Sequence, residues 1–288
     1  LSADYNRYQL AEKDAHYLDS LRTVSFLVIR RDSIVFESYR DGWNDTLTSN
    51  IYSATKTIVG LLAGIALDEG KIHSLDDPVS RYIPAYTKGM QADVTLRHLL
   101  TMTSAANFNE AGSEMERDWV RAFFFSDCSS MPGEHFHYNS MNSYLLAAIV
   151  CRVTGKSLTE YLTPRLFDPL GIPPVYWETC PMGVEKGGWG LYLRVTDMAK
   201  LGELCLARRR VGGKADSSAQ LGGADAYLFR RDRPQRDGAL RLPAVELPRA
   251  PLVPVNGVFG QYVVVLPEYD MVIATTGGDS ACFTTVCC

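Results

Sequence analysis

The sequence has 288 residues, of which 46% are hydrophobic, 22% charged and 10% aromatic. Such a chain can bury a real core as one large domain or two intimate ones, and it is neither a disordered tail, a collagen nor a coiled coil. With 29 Lys and Arg against 33 Asp and Glu the net charge is -4, so no global basic field draws phosphate backbones and nucleic acid is not an expected partner.

Residues 3 to 20 place Tyr5, Tyr8, Leu10, Ala11, Ala15, Tyr17 and Leu18 at loosely helical spacing, which predicts an amphipathic opening helix. The period then changes. Val24 to Arg30 and Ile34 to Tyr39 are β-branched and aromatic runs joined by the polar turn Arg31-Asp32-Ser33, and they predict a hairpin. Thr55 to Glu69 reads as a strong helix ended by Gly70, and Met141 to Val153 as another ended by Thr154-Gly155. Thr196 to Ala207 opens on a good cap residue and runs apolar at helical spacing. Near the end, Val258 to Leu266 and Met271 to Thr276, joined by Pro267-Glu268-Tyr269-Asp270, make a second apolar pair. The two hairpins, from opposite ends of the chain, are expected to share one antiparallel sheet. The longest apolar run, Ile58 to Leu67, is broken by Gly60 and Gly64 and falls short of the roughly 20 residues a membrane span needs.

Residues 208 to 254 stand apart. They hold nine of the 21 arginines, one lysine, five prolines and two aromatics, with no sustained period, a composition like GC-rich DNA read out of frame. Irregular chain is the expectation there. The tail after Gly278 is too short and too β-branched for a good helix. The organisation predicted is α/β (α+β): an antiparallel sheet flanked by helices in residues 1–74 and 196–288, a mostly helical lobe in 75–195, and the irregular segment 208–254.

The chain opens on acidic and polar residues without a charged-then-apolar leader, so a signal peptide is expected to be absent or already removed. Seven cysteines are scattered singly apart from Cys282, Cys287 and Cys288, with no CxxC pair. Reduced thiols in a cytoplasm are the economical reading, and a periplasmic or secreted location after signal removal is the alternative.

Chemistry gathers at Ser53-Ala54-Thr55-Lys56, which opens the strongest helix. A serine hydroxyl is a weak nucleophile until a base comes within hydrogen-bond reach, and a lysine three residues on returns to the same helix face. Free N–H groups at a helix start can also stabilise an oxyanion. A helix cap followed by a solvated lysine is the plain alternative, since so short a pattern arises by chance.

The order of segments around it is more informative. After the motif come Asp76-Asp77-Pro78-Val79, Val94-Thr95-Leu96-Arg97-His98-Leu99-Leu100-Thr101-Met102-Thr103-Ser104, then Pro132-Gly133-Glu134-His135-Phe136-His137-Tyr138-Asn139-Ser140, Gly187-Gly188-Trp189-Gly190-Leu191 and Thr196-Asp197-Met198-Ala199-Lys200-Leu201-Gly202. In this order they resemble the serine β-lactamase and penicillin-binding-protein superfamily, in its class C-like branch with family VIII esterases, D-aminopeptidases and 6-aminohexanoate-dimer hydrolase. The resemblance spans about residues 20 to 207 and 255 to 278 and implies a β-lactamase/transpeptidase-like fold. It implies Ser53 as the acylated nucleophile, Lys56 as its base or proton relay, and Tyr138 as the phenol that passes a proton to the leaving group. The family's Tyr-x-Asn element has Ser140 at its third position here, with Asn139 beside it, and these two are the expected substrate contacts. The family's third element, a cation followed by Thr or Ser and Gly, falls on Val255-Asn256-Gly257, where no cation stands. A backbone N–H near Val258 can still complete an oxyanion hole with that of Ser53, so Asn256, Gly257 and Val258 are expected on the substrate side.

Other candidates are plainer. His135-Phe136-His137 has strand spacing without a third ligand, and His98 lies in an apolar helical stretch, so no metal is expected. Arg208-Arg209-Arg210 with Arg230-Arg231 reads as a solvated run. Gly187-Gly188 and Gly277-Gly278 lack the context of a phosphate loop. The resemblance therefore implies a serine hydrolase working through an acyl-enzyme on a small ester or amide, without cofactor. The rivals are a non-catalytic penicillin-binding-like protein that keeps the fold to bind a ligand or partner, and a D,D-peptidase or β-lactamase.

Overall fold

The computed structural model describes residues 1–84, 93–108, 110–207 and 253–278, without the side chains of residues 111, 113, 114, 207 and 253–255. In chain order they form α1 (Glu12–Ser20), β1 (Thr23–Arg30), β2 (Ser33–Tyr39), β3 (Ser49–Asn50), α2 (Thr55–Asp68), α3 (Leu96–Leu100), α4 (Trp119–Phe125) and α5 (Ser140–Thr154). Then follow α6 (Leu158–Leu162), β4 (Tyr176–Trp177), β5 (Leu191–Leu193), α7 (Val195–Ala207), β6 (Val253–Gly257), β7 (Gln261–Leu266) and β8 (Met271–Gly277). The described residues divide into a unit within Leu1–Ala54, Tyr192–Arg209 and Asp237–Cys288, and a unit within Thr55–Leu191.

The first unit is built on a five-stranded sheet of order β2-β1-β8-β7-β6, antiparallel throughout. The two hairpins read from the sequence meet as β1 against β8, with Leu27 opposite Ala274 and Ile29 opposite Val272. Alternation buries Leu27 and Ile29 of β1, Val263 and Val265 of β7, and Val272 and Ala274 of β8, as period-two strands do when one face is covered. Helix α7 packs on β1, β7 and β8. Arg31 and Asp32 both take positive φ, 52° and 57°, the two-residue loop whose twist suits its strands.

Two expectations change in this unit. The opening helix is shorter than residues 3 to 20 suggest, because the start of the chain pairs with the outer strand instead. Ser2 N–H donates to Ile34 O at 2.9 Å and Asn6 N–H to Val35 O at 3.0 Å, while the Tyr5 hydroxyl donates to Glu37 at 2.5 Å. An edge strand offers unpaired backbone groups, and satisfying them overrides a loose helical period. The strand expected from Val258 is likewise interrupted, since Phe259 and Gly260, at φ 63° and 84°, turn the chain so that β7 begins at Gln261 and β6 precedes it. Pro254, which brings no N–H to a ladder, sits on β6 where the sheet ends among the described residues.

The second unit is helical, with α2, α3, α4 and α6 packed on α5. Helix α5 buries residues on nearly every side, from Ser140 to Val150, and stops at Gly155 in the left-handed region. Trp119 of α4 meets Tyr144 of α5 edge-on at 4.9 Å. No helix among the described residues is long and apolar enough to cross a membrane. Cys128, Cys151 and Cys180 are free thiols. Residues 208–252 of the arginine-rich segment and the tail from 279 lie outside the described residues, while Val253 and Pro254 open β6.

Candidate active site

Ser53 is the middle residue of a 3-10 turn, Tyr52–Ala54, that runs straight into α2. Asn50 braces the turn by accepting from Tyr52 N–H at 2.9 Å. Tyr52 has φ 46°, a conformation costing on the order of 1–3 kcal/mol that persists only where packing over-determines it. Strands β6 and β7 supply that packing. A Cβ on Gly257 would lie 2.2 Å from Ile51 O, so only glycine lets β6 run against the segment that leads into Ser53. The Phe259 ring meets Tyr52 edge-on at 4.9 Å. Buried Gln261 ties the β6–β7 turn down, its Nε2 donating to Gly277 O at 2.7 Å and to Phe259 O at 3.2 Å. Asn256, opposite Tyr262, and Val258 are half-buried on either side of Gly257, as is Ser53 in its turn.

Lys56 lies in the first turn of α2, three residues after Ser53, and is half-buried. Its Nζ donates to Gly188 O at 2.7 Å and stands 5.0 Å from the centre of the Tyr138 ring. Gly188 is held there by a tight passage along α5. A Cβ on Gly187 would fall 2.4 Å from Ser143 O, and one on Gly188 2.7 Å from the Ser140 Cβ. The glycine pair thus serves close packing.

Tyr138 is 51% exposed at the head of α5. The loop that delivers it is tied to residues 102–107 by Asn107 N–H to Asp127 O, Ser129 N–H to Ala105 O, Gly133 N–H to Thr103 O and His137 N–H to Met102 O, between 2.8 and 3.0 Å. Asn139 caps α5, its Oδ1 accepting from Met141 N–H at 2.9 Å, and its Nδ2 donates to Phe108 O at 2.8 Å. Ser140 packs under Gly188, and its backbone N–H donates to the Glu110 carboxylate. Asn139 and Ser140, the expected substrate contacts, are packed inside the chain in this structure. Both are buried, the Asn139 amide is spent within the chain, and together they hold Tyr138 in place. Nothing in the sequence pointed to Glu110, an acid thirty residues away that opens a 3-10 helix, Glu110–Met115.

His98 closes a capping box at the start of α3: its N–H donates to Thr95 Oγ1 and its Nδ1 accepts from Thr95 N–H, each at 3.2 Å. Burial pushes its pKa below the ordinary histidine value. His135 and His137 are exposed. Among the described residues no group of three or more His, Cys, Asp or Glu is placed to hold a metal. Arg208-Arg209-Arg210 and Arg230-Arg231 lie outside the described residues.

Residues 10–276 match the family model described as Beta-lactamase. The chain is 26% identical over 211 residues to the 6-aminohexanoate-dimer hydrolase of Paenarthrobacter ureafaciens, across 66% of this chain and 53% of that protein. It thus spans about half the length of that relative. Among solved structures it is similar to a candidate 6-aminohexanoate-dimer hydrolase from Bacillus anthracis, with a TM-score of 0.76 at 21% identity over 94% of this chain and 78% of that one. A class C beta-lactamase superposes with a TM-score of 0.70 at 15% identity over 96% and 92%. At these identities the solved structures speak to the fold, which is that of the β-lactamase/transpeptidase group.

Proposed function

Because the chain belongs to the beta-lactamase family, we propose that it is a serine hydrolase acting through an acyl-enzyme on small esters or amides. The observation that carries this reading is the environment of Lys56, held by the Gly188 carbonyl at 2.7 Å and facing the Tyr138 ring, three residues along the same continuous chain from Ser53. An unused surface lysine has no need of such a seat.

In this reading Lys56 takes the Ser53 hydroxyl proton as Oγ attacks the substrate carbonyl, and the backbone N–H groups of Ser53 and Val258 receive the oxyanion. Tyr138 gives a proton to the leaving alcohol or amine as its bond to the carbonyl breaks. Water then attacks the acyl-serine by the reverse proton path, releasing the acid and restoring Ser53. Nothing in these steps calls on a metal or cofactor. The relative from Paenarthrobacter, named for hydrolysing a dimer of an amino acid, supports amides alongside esters.

Asn256 sets the expected preference. Where a carboxylate-bearing substrate would meet a cation, a neutral amide stands, and the lost charge-assisted contact is worth roughly 1.5–3 kcal/mol, or about ten- to a hundredfold. The ester machinery does not depend on that anchor. p-Nitrophenyl butyrate should therefore be hydrolysed with a higher kcat/KM than nitrocefin, and Ser53→Ala should lose both turnover and labelling by a fluorophosphonate. A preference for nitrocefin would overturn the ester assignment, and a wild-type protein inert to both substrates and to the label would favour a non-catalytic binding protein.

A further inference from the structure

Lys186–Gly190 forms the strap whose Gly188 carbonyl receives the Lys56 amine, and both ends of it close on one residue. Lys186 N–H donates to Glu178 O, and Glu178 N–H donates to Gly190 O, each at 2.8 Å. The Glu178 carboxylate also takes the Lys186 side chain, Nζ to Oε2 being 3.1 Å. Lys186 is only 8% exposed. Its Nζ lies 5.7 Å from the centre of the Trp119 ring and 5.5 Å from that of Trp189, and the two indoles pack at 5.7 Å. From the other side Trp177 Nε1 donates to Lys186 O at 2.8 Å.

An ammonium taken out of water is costly unless it is paired, and here a carboxylate and two aromatic faces do the pairing. Lysine is rarely buried so far, since an apolar side chain would fill the space without the desolvation. The strap gives a reason for the charge. Gly187 and Gly188 have no side chains with which to anchor themselves, so the position of the Gly188 carbonyl depends on what fixes the strap's two ends.

We infer that the Lys186–Glu178 pair, its ammonium set against Trp119 and Trp189, is a positioning device for Lys56: it fixes the strap so that Gly188 O holds the Lys56 amine in place for proton transfer. The inference rests on the hydrolase reading above, which is what gives that amine a proton to move. Lys186 and Glu178 act through Gly188. A slack strap frees the end of a flexible four-carbon stem, and small losses of alignment are expensive in catalysis.

The test compares wild type, Lys186→Met and Lys186→Arg, each alone and combined with Lys56→Ala, on p-nitrophenyl butyrate. Lys186→Met should lower kcat about tenfold or more with KM held within about twofold, and Lys186→Arg should recover most of the loss. Over Lys56→Ala neither substitution should change the residual rate, because the group they position is gone. Should Lys186→Met fail to fold, Glu178→Gln, which keeps shape and an acceptor, carries the same comparison. A Lys186→Met enzyme with wild-type kcat, or one whose loss is undiminished over Lys56→Ala, overturns the assignment. A wild-type protein that neither turns over the ester nor takes the fluorophosphonate overturns the hydrolase reading instead, and this device with it.

Discussion

In the sheet unit the surroundings of Ser53 are set by strand register: β6 reaches its place by pairing with β7, and Gly257 lets it press on the backbone at Ile51. In the helical unit Lys56 and Tyr138 are set by loops laid along a buried helix, one threaded past α5 at Gly187 and Gly188, the other tied to residues 102–107. Both end in a glycine whose missing side chain is the condition of the contact. They differ in how they fail. A ladder of paired strands distributes strain, whereas a strap held at its ends passes it to the carbonyl in the middle.

The sharpest way to break that comparison is to fill the contacts. Gly257→Ala must displace Ile51 O from 2.2 Å, and Gly187→Ala must displace Ser143 O from 2.4 Å, both backbone atoms that cannot swing aside. Each should cost about 1–3 kcal/mol or more in urea unfolding. Gly278→Ala, where a Cβ meets nothing within 4 Å, should stay within about 0.5 kcal/mol of wild type. Gly187→Ala should lose proportionately more hydrolysis than stability, since the strap carries the Lys56 acceptor. Equal stability for all three variants would show that the close passages are not needed.

A smaller effect separates holding Tyr138 from using it. Asn139→Ala removes the α5 cap and leaves Phe108 O without its donor, so about 1 kcal/mol of stability should go, within the range of other helix caps. Tyr138→Phe, at a half-exposed side chain, should leave the urea midpoint unchanged yet lower kcat about a hundredfold or more. Asn139→Ala with unaltered stability but lost activity would return Asn139 to the substrate side.

The two units were not equally legible in the sequence. Strands β1, β2, β7 and β8 follow from alternation and turn residues, and α2, α5 and α7 from apolar spacing with Gly70 and Gly155 as stops, because these signals are local. Strand β6 was legible only through the resemblance, which set Val255-Asn256-Gly257 on the strand edging the site, because Pro254 and the turn at Phe259-Gly260 interrupt its period. Ser53, Lys56 and Tyr138, the proposed catalytic residues, could be singled out by order along the chain. The buried states of Asn139 and Ser140 could not, since they depend on Phe108, Glu110 and Gly188 arriving from distant segments. Lys186 looked like any charged loop residue, its indole neighbour Trp119 lying 67 positions earlier in the chain.

The smallest expected effect lies at the far end of the Tyr138 support. His98 accepts from Thr95 N–H through Nδ1, so only the neutral ring closes the α3 cap, and Thr103, which donates to His98 O at 2.8 Å, accepts from Gly133 of the Tyr138 loop. Burial, the larger influence, holds the His98 pKa below its usual 6.5, with Asp76 opposing and Arg97 assisting. A base whose folded pKa is depressed binds its proton more readily when unfolded, so its contribution is complete at high pH and is lost as pH falls from about 6.5 toward the folded value. The lowered carboxyls of Glu69, Asp76 and Asp77, held down by hydrogen bonds from Arg165, Arg97 and Tyr82, lose theirs only at more acid pH, around and below about 4. Urea midpoints measured from pH 8 to pH 5 should therefore fall for wild type and fall less for His98→Gln, whose side chain can reach back to Thr95 N–H without titrating. Parallel curves for the two proteins across that interval would remove His98 as the titrating group and leave the α3 cap indifferent to pH.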